Sequence, residues 1–338
     1  MLNSKLFPCS GVRERSTWRA FILILFTLLA VGGIILSLTK GALYISLNDI
    51  ILAIFSDSSG SNRQVIWNIR LPRTLVGALV GVNLALAGAI LQGVMKNPLA
   101  DPHIIGISSG AGLAGVTIMV LFPHKEYLVT PIAFMGAMFA AIFIYILAWK
   151  GGIRPVRIIL AGVAVSAFLN SGISALMVFY SDRVHGALMW MVGGLSARSW
   201  PHLDIIFPYT VVGGILAILG AGRLNILNLG DDIARGLGLN VEVSRIAMTA
   251  VASLLAASAV SVVGLLGFVG LIVPHAARLL VGSDYRYLLP ASAILGVAVV
   301  TLSDTLARVA FSPIEIPVGI IMAFVGAPFF LYLLRRDA

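Results

Sequence analysis

Phe21-Ile-Leu-Ile-Leu-Phe-Thr-Leu-Leu-Ala-Val-Gly-Gly-Ile-Ile-Leu-Ser-Leu38 carries no charge from end to end. With Trp18, Arg19 and Ala20 before it, the run reaches the roughly 20 residues that a helix needs to cross a bilayer. Inside hydrocarbon every backbone N–H and C=O must be satisfied within the segment, so the stretch reads as a membrane helix. Arg13, Arg15 and Arg19 ahead of it give the outline of a signal peptide. The run is too long for one and no small-residue cleavage site follows, so it reads as a retained first span.

The rest of the 338-residue chain repeats that pattern. Apolar residues make up 59% and charged residues 11%, against about 25% charged in soluble domains. A soluble enzyme and a single-span receptor are both excluded. Apolar stretches near 18–38, 72–93, 104–122, 128–149, 157–180, 204–221, 245–263, 265–281, 287–306 and 316–334 predict an all-α integral membrane protein of about ten spans. The cut between the seventh and eighth falls at Gly264, Gly267 and Gly270, the only obvious place to turn. Residues 1–17 read as a cytoplasmic tail and 18–338 as one polytopic domain.

The net charge of +9, from 23 Lys plus Arg against 14 Asp plus Glu, fits basic loops that orient the chain against anionic lipid. Most of these cations, from Lys5 and Arg13 through Lys96, Lys150, Arg223 and Arg245 to Arg335, fall on the side of the termini, which predicts cytoplasmic termini. Arg70, Arg73 and Arg308 oppose that bias on the outside. Cys9, the single cysteine, can form no intrachain disulfide.

Two connections look ordered. Ser46-Leu-Asn-Asp49 has capping-box spacing ahead of Ile50–Phe55, predicting a short interfacial helix. In the inner loop near 223–244, the segment Asn228–Asn240 puts Asp231 and Asp232 at a helix start and Gly236 and Gly238 at its end. Its apolar Ile233, Leu237 and Leu239 need something in the cytoplasm to pack on.

Chemistry-bearing residues are sparse. Gly106-Ile-Ser108-Ser-Gly110 matches the G-x-S-x-G pattern of serine hydrolases, but no strand precedes it and only His275 could serve as a base. Glycine and serine also permit close helix packing in lipid. No Gly-Lys dipeptide occurs, so the chain has no P-loop and any ATP is expected on another subunit. Arg70 and Arg73, three apart around Pro72, can project together toward an anionic partner or snorkel to the membrane interface, and Asp304 and Arg308 are spaced for an ion pair. Asn83, Gln92 and Asn170 are the polar residues expected along a pathway. A secondary carrier would need intramembrane carboxylates, and none is central.

Together these stretches resemble the membrane permease subunits of bacterial ABC importers for iron-siderophore complexes, haem and cobalamin. The resemblance rests on Ile69-Arg-Leu-Pro-Arg-Thr74, Gly88-Ala-Ile-Leu-Gln-Gly93, Asn97-Pro-Leu-Ala-Asp-Pro102, Gly106-Ile-Ser-Ser-Gly-Ala111, Leu160-Ala-Gly-Val163, Gly267-Phe-Val-Gly-Leu-Ile-Val-Pro-His275 and Glu315-Ile-Pro-Val-Gly319. It implies a ten-helix subunit in the bacterial cytoplasmic membrane, paired with an identical or related second subunit. Two ATPase subunits and an extracytoplasmic substrate-binding protein complete the implied assembly. It implies no enzymatic activity, no metal and no cofactor on this chain, with ferric siderophore as cargo and cobalamin or haem as the alternative.

By the same resemblance, Arg70, Arg73 and Arg308 face acidic residues of the binding protein. Gly230, Asp231, Asp232, Ile233, Ala234, Arg235, Leu237, Gly238 and Leu239 form the loop that engages the ATPase. Asn97 and Leu99 help close the cytoplasmic gate. Arg154, Pro155 and Val156 stand where the partner gate loop falls, and their departure from the small hydroxyl residues of the cobalamin relative argues against cobalamin.

Overall fold

A computed structural model describes residues 16–41, 45–55, 61–103, 105–150 and 155–337, and among them every regular element is helical. Most of the expected N-terminal tail, with Cys9, and Arg154 of the expected gate loop lie outside the described residues. The first helices are α1 (Ser16–Thr39), α2 (Leu47–Phe55) and α3 (Leu71–Met95), the last entered through a π-helical turn at Ile66–Arg70. Then come α4 (Ile107–Leu121), α5 (Val129–Ala148), α6 (Pro155–Phe179), α7 (Val184–Val192) and α8 (Trp200–Asn228). The chain closes with α9 (Asp231–Gly236), α10 (Val241–Val263), α11 (Val269–Val281), α12 (Tyr285–Val309) and α13 (Val318–Asp337).

Among the described residues, seven helices are long and apolar enough to cross a membrane: α1, α3 with the turns before it, α5, α6, α8, α10 and α12. The apolar α4, α11 and α13 are shorter and fall on the expected stretches 104–122, 265–281 and 316–334. Ser46 caps α2 as its spacing predicts, its Oγ accepting from Asp49 N at 3.2 Å and meeting Asp49 Oδ2 at 2.8 Å.

The expected cut after residue 263 is present. Gly264 sits at φ 83° and Phe268 at φ 66°, so the second left-handed position falls on a phenylalanine and not on Gly267 or Gly270. Two further expectations change. The stretch 204–221 extends to Trp200–Asn228, and the connection before it contains α7, an apolar helix too short to span hydrocarbon.

Burial shows which helices form the centre. In the most apolar window of α3, 83% of residues are buried, and in that of α10, 78%, against 22% for α6. Helix α3 packs on α8, α10, α11 and α12, while α4 pairs with α5 and α1 with α12. Small residues let these backbones meet, because lipid supplies no hydrophobic drive between helices and close packing must replace it. A Cβ on Gly81 would run into the Gly296 carbonyl of α12, and one on Gly88 into the Gly270 carbonyl of α11.

Since α3 runs from Arg73 to Met95 and α12 back from Tyr285 to Arg308, the molecule has two distinct polar ends. The end holding Arg73 and Arg308 lies opposite the end holding Lys96 and Asp284.

Candidate functional site at the two ends of the bundle

At the Arg73 end, three arginines expected to reach outward are instead turned in. Arg70, Arg73 and Arg308 are 5%, 7% and 5% exposed. Arg70 Nη1 donates to the Leu38 and Thr39 carbonyls at 2.7 and 3.1 Å, at the C-terminal end of α1 where the helix dipole favours a cation. Arg73 donates through Nε and Nη2 to both Asp304 oxygens, at 3.1 and 2.9 Å, and through Nη1 to Glu315 at 2.8 Å. Arg308 Nε pairs with Asp304 at 3.1 Å, the spacing-predicted ion pair, and its Nη2 donates to the Ser37 carbonyl and hydroxyl, both at 3.0 Å.

The three guanidiniums thus converge as the sequence suggested, but they bind α1, α3 and α12 together and do not snorkel to the interface. Among the described residues the cluster holds two carboxylates, Asp304 and Glu315. Only the Glu315 side chain, 43% accessible, opens substantially to the surface.

At the Lys96 end, the loop after α3 and the segment around α9 are joined. Asp231 accepts from Lys96 Nζ at 2.7 Å and from Arg245 Nη2 at 2.8 Å. Burial raises the Asp231 carboxyl, but the Lys96 hydrogen bond and the Arg245 and Lys96 charges outweigh it and hold the group below the usual carboxylate range. Gly230, at φ 114°, turns the chain into α9, and Gly238, at φ 81°, turns it out.

Ala234 is fully buried with Leu227 and Val241, and Leu239 packs partly against them. Asp232, Ile233, Arg235 and Leu237 stay exposed, the two apolar ones at 55% and 61%. Of the three apolar residues expected to lack packing within the chain, Leu239 therefore finds it and Ile233 and Leu237 do not.

Asn97 Oδ1 accepts from Leu99 N at 2.9 Å, after Lys96 has taken a left-handed conformation. Leu99 lines a groove of about 930 Å³ with Asp101, His103, Phe268, Ile320 and Phe324. Pro155 and the exposed Val156 do not line this groove.

The expected pathway residues separate. Asn83 is fully buried and donates to Ser258 Oγ at 3.0 Å, and Gln92 donates to the Gly270 and Leu271 carbonyls at 3.3 Å. Both are cross-links inside the subunit, which takes them off any passage wall in this conformation. Asn170 alone of the three is exposed. Ser108, at the start of α4, is 2% exposed and its Oγ makes no hydrogen bond, so no base is in place. The glycines of that motif serve packing instead: a Cβ on Gly110 would strike the Gly136 carbonyl of α5.

Glu315, Lys96 and Arg245 are the partners that sequence reasoning missed. They lie 242, 135 and 14 residues from the groups they hold. Only the last separation carries even a weak local signal.

Nearly the whole chain is similar to known proteins. Residues 27–336 match the model of the FecCD transport family. The chain is 39% identical over 326 residues to the Fe(3+)-citrate import system permease protein YfmD of Bacillus subtilis, covering 96% of this chain and 98% of that one. It is 44% identical over 272 residues to the cobalamin import system permease protein BtuC of Halobacterium salinarum, covering 80% and 73%. Among solved structures, a metal-chelate type ABC transporter in an inward-facing conformation superposes with a TM-score of 0.83 at 29% identity, over 94% of this chain and 99% of that chain. The chain belongs to the FecCD transport family, multi-pass membrane permeases that work within ABC transporters.

Proposed function

We propose that this permease carries ferric siderophore complexes, in the broad sense that includes ferric citrate, across a bacterial cytoplasmic membrane. The observation that carries the reading is likeness over nearly the full chain to iron-chelate permeases: the ferric citrate relative at 39% and an iron(3+)-hydroxamate permease, FhuG of Bacillus subtilis, at 37%. Cobalamin is the second reading, favoured by the 44% identity to a cobalamin permease over the shorter match.

In this proposal the ten apolar helices span the bilayer, the Arg73 end faces outward and the Lys96 end faces the cytoplasm. Two permease subunits enclose the path, with the groove beside Leu99 on its wall. A binding protein delivers the cargo to the outer end, where Arg70, Arg73 and Arg308 cluster around Asp304 and Glu315. ATP is bound and split on two separate cytoplasmic subunits. The segment Gly230–Leu239 meets them through Ile233 and Leu237, whose exposure is the local support for docking there. The Lys96–Asp231–Arg245 bracket then carries α9 movements to the loop of Asn97 and Leu99, as the subunits alternate the side to which the path opens. Uptake of radioactive iron as a panel of ferric siderophores, with labelled cobalamin alongside, tests the cargo in cells with and without the gene.

A further inference from the structure

A cavity of about 650 Å³ opens at the Arg73 end, between the close of α4, the start of α5, α7 and the turn into α8. Trp200 fixes its position, because its Nε1 donates to the Trp67 carbonyl at 2.9 Å, three residues before Arg70. Met119, Ala187 and Trp190 give the cavity an apolar lining, and Arg198 and Glu126 line it as well.

Arg198 is the unusual member. Its Nη1 lies 3.1 Å from His202 Nε2, its buried Nε has no hydrogen-bond partner, and no carboxylate among the described residues lies within ion-pair distance. Burial pushes the guanidinium down to about 10, which leaves it cationic at neutral pH. A charge removed from water without a counter-ion is costly, and a partner anion relieves that cost. Glu126, exposed and lining the same cavity, also has no ion pair among the described residues. Arg183, the remaining charge, is already held by Asp182 and the Val120 carbonyl, both at 3.3 Å.

One unmatched cation and one unmatched carboxylate beside an apolar wall, at the interfacial end of the bundle, complement a zwitterion that carries a hydrocarbon chain. A headgroup with phosphate alone would satisfy Arg198 but repel Glu126. We propose that this cavity holds an aminophospholipid, its phosphate on Arg198, its ammonium on Glu126 and an acyl chain along Met119, Ala187 and Trp190. The lipid would brace α7 from behind, because Trp190 lines this cavity while Val192, two residues on, lines the groove beside Leu99. The assignment does not depend on which cargo the transporter carries.

Native mass spectrometry of the full-length permease in its assembled transporter, equilibrated with phosphatidylethanolamine, phosphatidylglycerol or inorganic phosphate, tests it. The wild type should retain phosphatidylethanolamine over phosphatidylglycerol by about tenfold, the worth of one charge-assisted hydrogen bond. Arg198→Gln should lower retention of both lipids, Arg198→Lys should keep most of it and report that the fold survives, and Glu126→Gln should abolish the preference while phosphate-bearing lipid still binds. Equal retention of the two lipids by the wild type would overturn the assignment, as would unchanged retention in Arg198→Gln. Inorganic phosphate displacing the lipid at equal concentration would assign the cavity to a free anion instead.

Discussion

Arg73 grips both oxygens of Asp304 across 231 residues of sequence, with contacts of 3.1 and 2.9 Å and both side chains under 10% accessible. Breaking a buried pair from one side strands the other charge, so Asp304→Ala should destabilise the subunit by about 3–5 kcal/mol. The double replacement Arg73→Leu with Asp304→Leu should recover part of that loss, because it removes the stranded Arg73 charge and leaves only Arg308 without Asp304 and the accessible Glu315 without Arg73. Thermal unfolding in detergent checks the order of the three proteins.

Glu315 is the accessible carboxylate of the same cluster, and removing it leaves Arg73 still bonded to Asp304. Glu315→Gln should therefore fold normally and remove one negative charge from the Arg73 end. Association with an acidic binding protein should speed up a few-fold at low ionic strength, and the gain should fade near 0.15 M salt, where screening acts within about 8 Å. Stopped-flow association at two salt concentrations reads this directly.

The bracket at the opposite end predicts a different signature. Asp231→Asn removes the charge that Lys96 and Arg245 share while leaving Ile233 and Leu237 in place. Assembly with the ATPase should persist, and cargo moved per ATP should fall. The pH dependence has a fixed sign. The Asp231 and Asp284 carboxyls are both held below the usual range, Asp284 because its Asn225 and Arg286 hydrogen bonds and the Arg19 and Arg286 charges outweigh burial. Their stabilisation is complete above the ordinary carboxylate value of about 4 and is lost as pH falls through the folded-state values. Melting curves from pH 7 to pH 3 should decline less steeply in Asp231→Asn and Asp284→Asn than in the wild type.

Helix positions were legible in the sequence because lipid admits few alternatives to a helix, so an uncharged run such as Phe21–Leu38 states its own structure. The turn at Gly264 and the Ser46 cap were legible because each is decided by neighbours a few residues away. The partners Asp304 and Glu315 of Arg73, and Lys96 of Asp231, were not, because nothing local couples charges more than a hundred residues apart. Asn83 misled for a physical reason: a polar side chain in a span can line a passage or bond to a neighbouring helix, and only packing shows that it meets Ser258. Helix α7 was missed because nine residues fall short of the length that marks a span.

Close backbone approach gives a further prediction. Gly88→Leu would drive its side chain into the Gly270 backbone, with no flexible neighbour to give way. Overpacking of this kind should cost about 1–3 kcal/mol or more. Gly222, which has open space around it, should accept alanine with little change, and thermal unfolding of the two variants compares them.

The exposed pair Ile233 and Leu237 gives the last. Ile233→Ser with Leu237→Ser should change subunit stability by no more than about 0.5 kcal/mol, as surface substitutions do. The same variant should lose most ATPase subunit on co-purification.

The central claim is that this permease imports ferric siderophore complexes. Its most direct test is the uptake of radioactive iron, supplied as individual ferric siderophores, by cells lacking the gene and by the same cells with it restored. The account predicts that uptake of at least one ferric siderophore is lost and returns with the gene. Unchanged uptake of every iron complex, with loss of labelled cobalamin uptake alone, would contradict it.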